Sequence, residues 1–501
     1  MKRILGMTLG IVLVLLLVMS VALADEEKQS GAFTYRIKGN GTAVITGYDW
    51  ENHQGEDVYI PRMVDGYTVT EIGENAFSDV GTVIVTLPDT ITVIGSKAFE
   101  NSNAAAIRIP ESVKTIGDFA FSGCPNVQSF SIPANVGSIG VGAFMNCSKL
   151  QEFFVDSENP IYATIDGVLF NKSKKELTSF PTGKNTSQYC VPTGIESIGP
   201  YAFYGVDSLV VLREEDSQLL LPETIREIGA YAFCDVKFKR ENSDDIFYMP
   251  SSLESIGSHA FERADLGETS FGSSLKSIGD YAFAEAHLYT DMLNRAAVTP
   301  YKILTLPASI QEIGEGAFLK ISGENSYNTL GEIDLLKTHI TIIEPKTFFE
   351  CAVTNSILLP SSLIEIREAA FEGVLSVNIK MKNVEIIGKR AFARGGTANI
   401  SVGNKLKEIG EQAFYWHHFN SQESFSLPDT VTSIGAEAFK DTAALQRLII
   451  PSSVEKIGDD LCDKVEVSLE VEKGSYAEQY ALENGYQIKM EESNDTSWLN
   501  D

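Results

Sequence analysis

The chain has 501 residues, a formal net charge of −28 at neutral pH and a hydrophobic fraction of 44%. This charge repels nucleic acids and anionic lipid surfaces, so it argues against nucleic-acid binding. The length exceeds that of one compact domain, so the chain comprises either several domains or an array of repeats.

The N-terminal segment carries the pattern of a secretory signal peptide. Lys2 and Arg3 precede an apolar run from Ile11 to Val18, and small residues follow at Ala22–Ala24. This order predicts a signal peptide over 1–24, cleaved after Ala24, although an uncleaved membrane anchor is the alternative. No later segment has the ~18 apolar residues needed to span a bilayer. We therefore expect a protein that is secreted or loosely attached to the cell surface.

An internal repeat explains the length of the chain. The string Ile-Gly-x-x-Ala-Phe occurs twelve times unchanged and twice with substitutions, and Ile457–Cys462 is a fifteenth copy with Cys in the Phe position. The fourteen phenylalanines are Phe77, Phe99, Phe121, Phe144, Phe203, Phe233, Phe261, Phe283, Phe318, Phe348, Phe371, Phe392, Phe414 and Phe439. Fixed offsets over this many copies indicate a solenoid, in which each coil buries its apolar residues against its neighbours.

Each copy predicts the same local structure. Alternation of apolar and polar residues, as in Phe130-Ser131-Ile132, predicts a half-buried strand, and the proline that often follows ends this strand. The next apolar residues return the chain across a second side of the coil. The glycine is expected to permit a tight corner, although Glu344 and Arg367 at this position indicate that a positive φ is not required.

The repeat resembles the BspA-type leucine-rich repeat family of bacterial surface proteins, from Phe33 to about Lys489. The opening Gly31–Tyr35, the insertion from Asn159 to Phe170 and the closing unit Ser475–Tyr486 also resemble that family. The resemblance implies a strand-rich α/β-type solenoid, a right-handed coil or arc of about fifteen repeats. It also implies adhesion to extracellular proteins or contact between cells.

The predicted organisation has five parts, with additional segments between the repeats. Residues 25–60 are expected to cap the N-terminal end, 61–462 to form the repeats, 463–489 to cap the C-terminal end and 490–501 to form an acidic tail. The insertions lie near 145–197, 204–222, 234–250, 284–305 and 319–335. Within them Asp291–Arg295 is a candidate short helix, and in the C-terminal cap Ala477–Asn484 is another, ended by Gly485.

No pattern typical of catalysis, of a cofactor or of a metal site is present in the sequence. The six histidines do not form a His-Glu-x-x-His motif, and neither a nucleophile elbow nor a phosphate-binding loop occurs. Cys124, Cys147 and Cys351 each follow a repeat Phe by three residues, so they are expected to be buried apolar groups. A disulfide between Cys124 and Cys147 is the alternative.

Two groups of residues are candidates for ligand binding. The first is the unusual cluster Tyr415, Trp416, His417, His418 and Phe419, which either presents aromatic rings to a ligand or covers the edge of a coil. The second consists of large residues at the outward position two residues before a proline. These are Tyr59, Leu220, Tyr248, Leu358 and Ile449, which form a binding patch only if they are contiguous.

Three functions follow from the sequence, in decreasing order of preference. The first is a secreted or surface protein that binds an extracellular protein of the matrix or of a cell surface, or a glycan. The second is a structural scaffold that assembles with itself. The third is a carbohydrate-active enzyme, because carboxylate pairs are easily found among 68 acidic residues. The sequence does not determine the oligomeric state.

Overall fold

The computed structural model describes residues 26–81, 84–184, 189–210, 221–239, 246–293, 301–321, 329–375, 377–419 and 423–490. They divide into two compact units, Met1–Leu209 and Val210–Asp501. The predicted signal peptide and residues 491–501 of the predicted tail lie outside the described residues. Within the described part of the chain, no helix is long and apolar enough to cross a bilayer.

The first unit is a β-solenoid that begins with an antiparallel meander. Its strands are β1 Lys28–Ser30, β2 Phe33–Ile37, β3 Thr42–Tyr48, β4 Val58–Tyr59, β5 Met63–Val64, β6 Tyr67–Ile72, β7 Ile84–Thr86, β8 Val93–Ile94, β9 Ala106–Arg108, β10 Thr115–Ile116, β11 Ser129–Ile132, β12 Ser138–Ile139, β13 Glu152–Val155, β14 Tyr162–Ile165, β15 Val168–Asn171, β16 Glu176–Ser179 and β17 Ser197–Ile198. β18, Ser208–Val210, lies at the boundary.

The second unit is also a β-solenoid, and it contains the one α-helix of the described residues. Its strands are β19 Glu227–Ile228, β20 Lys237–Lys239, β21 Phe247–Tyr248, β22 Ser255–Ile256, β23 Asp265–Ser270, β24 Ser277–Ile278, β25 His287–Tyr289, β26 Asp291–Leu293, β27 Tyr301–Thr305, β28 Glu312–Ile313, β29 Leu330–Asp334, β30 Ile342–Ile343, β31 Val353–Leu358, β32 Glu365–Ile366, β33 Val377–Met381, β34 Ile386–Ile387, β35 Thr397–Val402, β36 Glu408–Ile409, β37 Ser424–Ser426, β38 Ser433–Ile434, β39 Arg447–Ile450, β40 Lys456–Ile457, β41 Ser468–Val471 and β42 Ile488–Met490; the helix is α1, Tyr476–Asn484.

The regular coils repeat three segments. An outer strand comes first and is often followed by a proline, a short strand of two residues ends at the repeat Ile, and a turn carries the Gly-x-x-Ala-Phe residues. Along most of each unit both kinds of strand pair in parallel with their equivalents in the next coil, as in the outer pair β7 and β9 and the short pair β8 and β10. The predicted strand around Phe130 is confirmed as β11, with Phe130 and Ile132 buried and Ser129 and Ser131 exposed. The predicted strand-rich leucine-rich-repeat fold is confirmed.

The repeat phenylalanines stack in a column through the core of each unit. In the first unit the rings of Phe77, Phe99, Phe121 and Phe144 follow each other with centroids 5.2, 5.4 and 5.6 Å apart. In the second unit the column runs from Phe233 to Phe439, with neighbouring rings 5.1–5.5 Å apart. The stacking explains why a planar side chain recurs at this position.

The repeat glycine is required by close packing between coils rather than by a positive φ. None of the repeat glycines that precede the two variable residues has a positive φ. The left-handed residue is instead the one before the repeat Ala, for example Lys97 with φ 57° and Gln412 with φ 55°. A Cβ on Gly435 would lie 2.3 Å from the Glu411 backbone nitrogen. The explanation of this glycine as the residue that permits a tight corner is therefore wrong. The inference that a positive φ is not required at this position is confirmed.

Replacing Gly140 by Ala is expected to lower the free energy of unfolding by about 1–3 kcal/mol, because the new methyl group overpacks the coil contact. A Cβ at Gly140 would lie 2.4 Å from the Asp118 backbone nitrogen and 2.5 Å from the Gly117 carbonyl carbon. Gly137 in the same coil is a matched control, since its Cβ would meet no atom nearer than 3.9 Å. Urea denaturation of both variants tests this, and equal losses would contradict the packing explanation.

The insertion after Phe144 contains one regular outer strand and an antiparallel meander. β13 pairs in parallel with β11, and β14, β15 and β16 then pair antiparallel. Asn159 anchors the meander: its buried amide donates to the carbonyls of Pro133 (2.8 Å) and Val136 (3.0 Å). Its side-chain oxygen accepts from the backbone N–H groups of Ile161 and Tyr162. The hydrogen-bonding capacity of a buried amide is thus used within the fold.

One of the two candidate helices is present. α1 starts at the N-cap Ser475, whose side chain accepts from the Glu478 N–H, and it ends at Gly485 with φ 74°, as predicted. The helix predicted at Asp291–Arg295 is wrong for its described part, because Asp291–Leu293 is a strand that pairs antiparallel with Tyr301–Ile303. Pairing with β27, the next strand in the chain, overrides the weak helical preference of this segment.

Candidate binding surfaces

The outward positions of the first unit form the ladder that the sequence predicted. Tyr59 pairs with Thr86, and Thr86 pairs with Arg108. Tyr59 is 68% exposed, and Ile84 on the same face of β7 is 49% exposed. These two large side chains are diagonal neighbours across the strand pair, a separation that lets large side chains touch one partner together.

The outward positions of the second unit do not form a continuous apolar patch. Tyr248, Leu358 and Ile449 are half-buried. Tyr248 pairs with Ser270 and Ile449 with Glu470, so each has a polar neighbour on the sheet. Leu220 lies outside the described residues. The described outward candidates of the second unit, Tyr248, Leu358 and Ile449, therefore do not form one apolar patch.

The cluster Tyr415–Phe419 is divided between the core and the surface. Trp416 is 63% exposed and His418 is exposed, whereas His417 and Phe419 are 1% and 0% exposed. Tyr415 is half-buried. Successive side chains therefore point in opposite directions here, and the predicted coverage of the core holds for His417 and Phe419, while ligand binding stays a prediction. Phe419 packs against Phe414 in the core, and Trp416 projects outward.

Trp416 occupies a position at which the other coils carry glycine or a polar residue. It follows the repeat Phe by two residues and has φ 56°, in the left-handed region. The equivalent residues are Asp79, Asn101, Gly123, Asn146, Gly205, Asp235, Arg263, Glu285, Lys320, Glu350, Gly373, Arg394 and Asp441, all with positive φ. A bulky side chain is uncommon in this conformation, so Trp416 is a departure that the fold itself does not require.

His417 occupies the same position in its coil as the buried cysteines, three residues after the repeat Phe414. This spacing is visible in the sequence alone and could have predicted that His417 is buried. Its Nδ1 lies 2.8 Å from the carbonyl oxygen of Phe392 in the preceding coil. The Cys124 thiol donates to the carbonyl of Phe99 (3.2 Å) in the same way. Burial lowers the pKa of His417 to about 4, so the imidazole is neutral in the folded protein at neutral pH.

The cysteines are free thiols, and most are buried. Cys124, Cys147 and Cys351 are 0–1% exposed, as their shared register predicted. Burial raises the pKa of Cys351 to about 12, and the thiol donates to the carbonyl of Phe318. Such groups act as small apolar side chains with a weak donor rather than as nucleophiles. The alternative disulfide between Cys124 and Cys147 is not formed in this structure.

Many charged side chains pair across neighbouring coils. Arg390 contacts Glu372 at 2.5 Å, and Lys407 contacts Glu385 at 2.7 Å in the coil before it. The Lys407 ammonium lowers the pKa of the Glu385 carboxyl. Within the described ranges no three His, Cys, Asp or Glu side chains are grouped to hold a metal ion. The charge pattern thus follows the stacking of the coils.

Comparison with known proteins agrees with this architecture. The model of the BspA type leucine-rich repeat region matches residues 56–176, 176–320, 291–418, 341–466 and 408–487. No curated protein is significantly similar in sequence.

Three solved structures illustrate the similarity of fold. A leucine-rich repeat protein from Bacteroides ovatus is 18% identical, with 93% of this chain and 100% of that chain covered and a TM-score of 0.35. One from Eubacterium ventriosum is 17% identical, with coverages of 82% and 93% and a TM-score of 0.37. A leucine-rich cell surface protein from Faecalibacterium prausnitzii is 19% identical, with coverages of 95% and 97% and a TM-score of 0.31. Because the family model matches most of its length, the chain belongs to the BspA-type leucine-rich repeat family.

Proposed function

We propose that the protein is exported and binds a protein of the surrounding matrix or of another cell, with a glycan as the alternative ligand class. Its membership of a leucine-rich repeat family supports a role in protein binding, because stacked coils present an extended surface. The charge pattern of its first residues supports export. No catalytic step is part of this proposal.

Trp416 is the observation that carries the proposal. Its ring is 63% exposed although the residue occupies a left-handed position that other coils give to glycine or polar residues. Exposed tryptophan contributes more binding energy at protein interfaces than most residue types. His418, two residues further on, is also exposed, so a partner meets an indole and an imidazole on the same side of this segment.

Replacing Trp416 by Ala is expected to weaken binding to the partner by about 2 kcal/mol, roughly thirtyfold in Kd, because an aromatic anchor is lost. The chain Asp25–Asp501 would first be titrated against matrix proteins and glycans at physiological salt. Leu336→Ala is the matched control, since Leu336 is 55% exposed and lies outside the cluster Tyr415–Phe419. The proposal fails if no protein or glycan binds at micromolar concentration, or if both variants bind as the wild type does.

Export is tested separately from binding. Mass spectrometry of the protein recovered from the culture medium or cell surface is expected to show Asp25 as its first residue. A chain that retains Met1 would instead support the membrane-anchored alternative.

A second function, assembly of the protein with itself, is favoured by one observation near the C-terminal end. Val465, Tyr476 and Leu482 are 79%, 43% and 66% exposed. Exposed apolar side chains of this size often contact a partner surface. Light scattering over a range of concentrations distinguishes this function, because a monomer at every concentration would exclude it.

A further inference from the structure

The ladder of short strands is interrupted at one place in the second unit. β28 and β30 occupy equivalent positions in consecutive coils but lie in different sheets. In regular coils the N–H after the repeat Ile donates to the Ile carbonyl of the preceding coil, as from Gly314 to Ile278 at 2.8 Å. Among the described contacts, Glu344 makes no such bond to Ile313. β28 and β30 are therefore not joined by the backbone hydrogen bonds that join the short strands of regular coils.

The sequence explains the separation. A Cβ at Gly314 would lie 2.6 Å from the Asp280 backbone nitrogen, so the regular contact leaves no room for a side chain. Glu344 replaces this glycine in the next coil, and Pro345 follows with its fixed φ. Arg367 also replaces the glycine, yet its N–H still bonds to the Ile343 carbonyl at 3.0 Å. The pair Glu344-Pro345, rather than the loss of glycine alone, thus accompanies the gap.

The gap is short because hydrogen bonds close it at both ends. On one side the His339 N–H donates to the Ile310 carbonyl at 3.0 Å. On the other side the Gly316 N–H donates to the Pro345 carbonyl at 2.9 Å. The cleft at this place extends over the preceding coils as far as Ile256 and Ser258, and it has a volume of about 710 Å³. Because the two bonds hold the coils together, the gap between β28 and β30 is too short for a whole inserted strand.

The cleft is lined mainly by acidic side chains. Its lining includes four carboxylates and no basic residue: Asp280, Glu312, Glu315 and Glu344. The half-buried Ile342 adds apolar contact, whereas Ile278 and Ile313 are buried in the core. The backbone groups that would pair in regular coils also belong to residues that line the cleft. They are the Gln311 and Ile313 carbonyls and the Thr341 and Glu344 N–H groups. The cleft therefore offers carboxylates, backbone acceptors and apolar contact together.

Neighbouring bases neutralise only part of this charge. Lys346 lies 3.4 Å from Glu315, and Arg367 lies 2.6 Å from Glu344. The Asp280 carboxylate accepts the Glu315 N–H at 2.9 Å. Two of the four acidic side chains thus have a basic partner, and the cleft stays negative.

We propose that this cleft binds a lysine or arginine side chain presented by an extended segment of a partner protein. The aliphatic stem of the side chain packs against Ile342, and its cationic end meets the carboxylates. The Gln311 and Ile313 carbonyls of the cleft are further acceptors for the same cationic group. This inference rests on the proposed protein-binding function and adds the chemistry of the segment that is recognised.

The test is titration of the chain Asp25–Asp501 with a fluorescent pentalysine peptide and with its Nε-acetylated form at low and physiological salt. We expect saturable binding of pentalysine that weakens with salt, and no binding of the acetylated peptide. The double variant Glu312→Gln/Glu315→Gln is expected to weaken binding roughly three- to tenfold, because two charged contacts are lost. The double variant Glu344→Gly/Pro345→Ser, which restores the Gly-Ser pair found at Gly95-Ser96, is expected to abolish saturable binding by restoring the regular coil contact.

A matched control separates the cleft from the general negative charge. Glu408 and Glu411 occupy the same registers as Glu312 and Glu315, in a coil whose ladder is intact. Glu408→Gln/Glu411→Gln removes the same charge and is expected to leave pentalysine binding unchanged. Equal weakening in both glutamine double variants, or unchanged binding in Glu344→Gly/Pro345→Ser, would overturn the inference. The proposed function is tested by the protein and glycan panel instead, so the two outcomes are distinguishable.

Discussion

Replacing Phe121 by Ala is expected to lower the free energy of unfolding by about 3–5 kcal/mol, because it removes a fully buried ring from the centre of a stack. Phe121 is 0% exposed and stacks on Phe99 and Phe144 with interplanar angles of 6° and 5°. Phe130 contacts the same ring at a centroid distance of 5.0 Å. The cavity left by the variant is enclosed by rings that cannot all move inward, so the loss exceeds the transfer energy alone.

The comparison with Phe154 isolates burial as the cause. Phe154 lies on β13 and is 51% exposed, so Phe154→Ala is expected to change stability by less than about 1 kcal/mol. Hydrogen exchange adds spatial information, because stability in a solenoid is a sum over neighbouring coils. Protection should fall most in the coils that contain Phe99 and Phe144. A uniform loss of protection throughout the first unit would contradict this nearest-neighbour description.

The fold was largely predictable because the same residues recur at the same offsets. The phenylalanine positions, the half-buried strands and α1 all follow from local pattern and from the need of each coil to bury its apolar side. The role of the glycine was not predictable in this way. Its cause is the distance to the backbone of the preceding coil, as Gly435 near Glu411 illustrates, and such a distance exists only in the folded stack.

The candidate surfaces were less predictable, since exposure depends on which way a turn points its side chains. The outward position of Tyr59 followed from its place before the proline, whereas the exposure of Trp416 beside the buried His417 did not. The cleft at Glu344 and Pro345 was marked in the sequence only as a departure from the repeat. Its consequence depends on the response of the neighbouring coils, and Arg367 shows that a similar departure leaves the ladder intact.

Acidification from pH 6.5 to pH 4 is expected to destabilise the protein through His417 by roughly 3 kcal/mol. The pKa of this imidazole is about 4 in the folded protein, against an ordinary value of 6.5 that applies after unfolding. Between these two values the unfolded chain binds a proton that the folded chain does not. Stability from this group is therefore complete above pH 6.5 and is lost progressively as the pH falls to about 4.

The contribution of His417 is measured as a difference between variants, because the carboxylates also titrate in acid. His417→Cys places at this position the residue that Cys124, Cys147 and Cys351 provide in other coils, and each of these thiols donates to a phenylalanine carbonyl. Its free energy of unfolding should depend less steeply on pH than that of the wild type between pH 4 and 6.5. His339→Gln, which removes an exposed imidazole outside this cluster, is the matched control. Identical slopes for wild type and His417→Cys would show that desolvation of His417 does not govern acid stability.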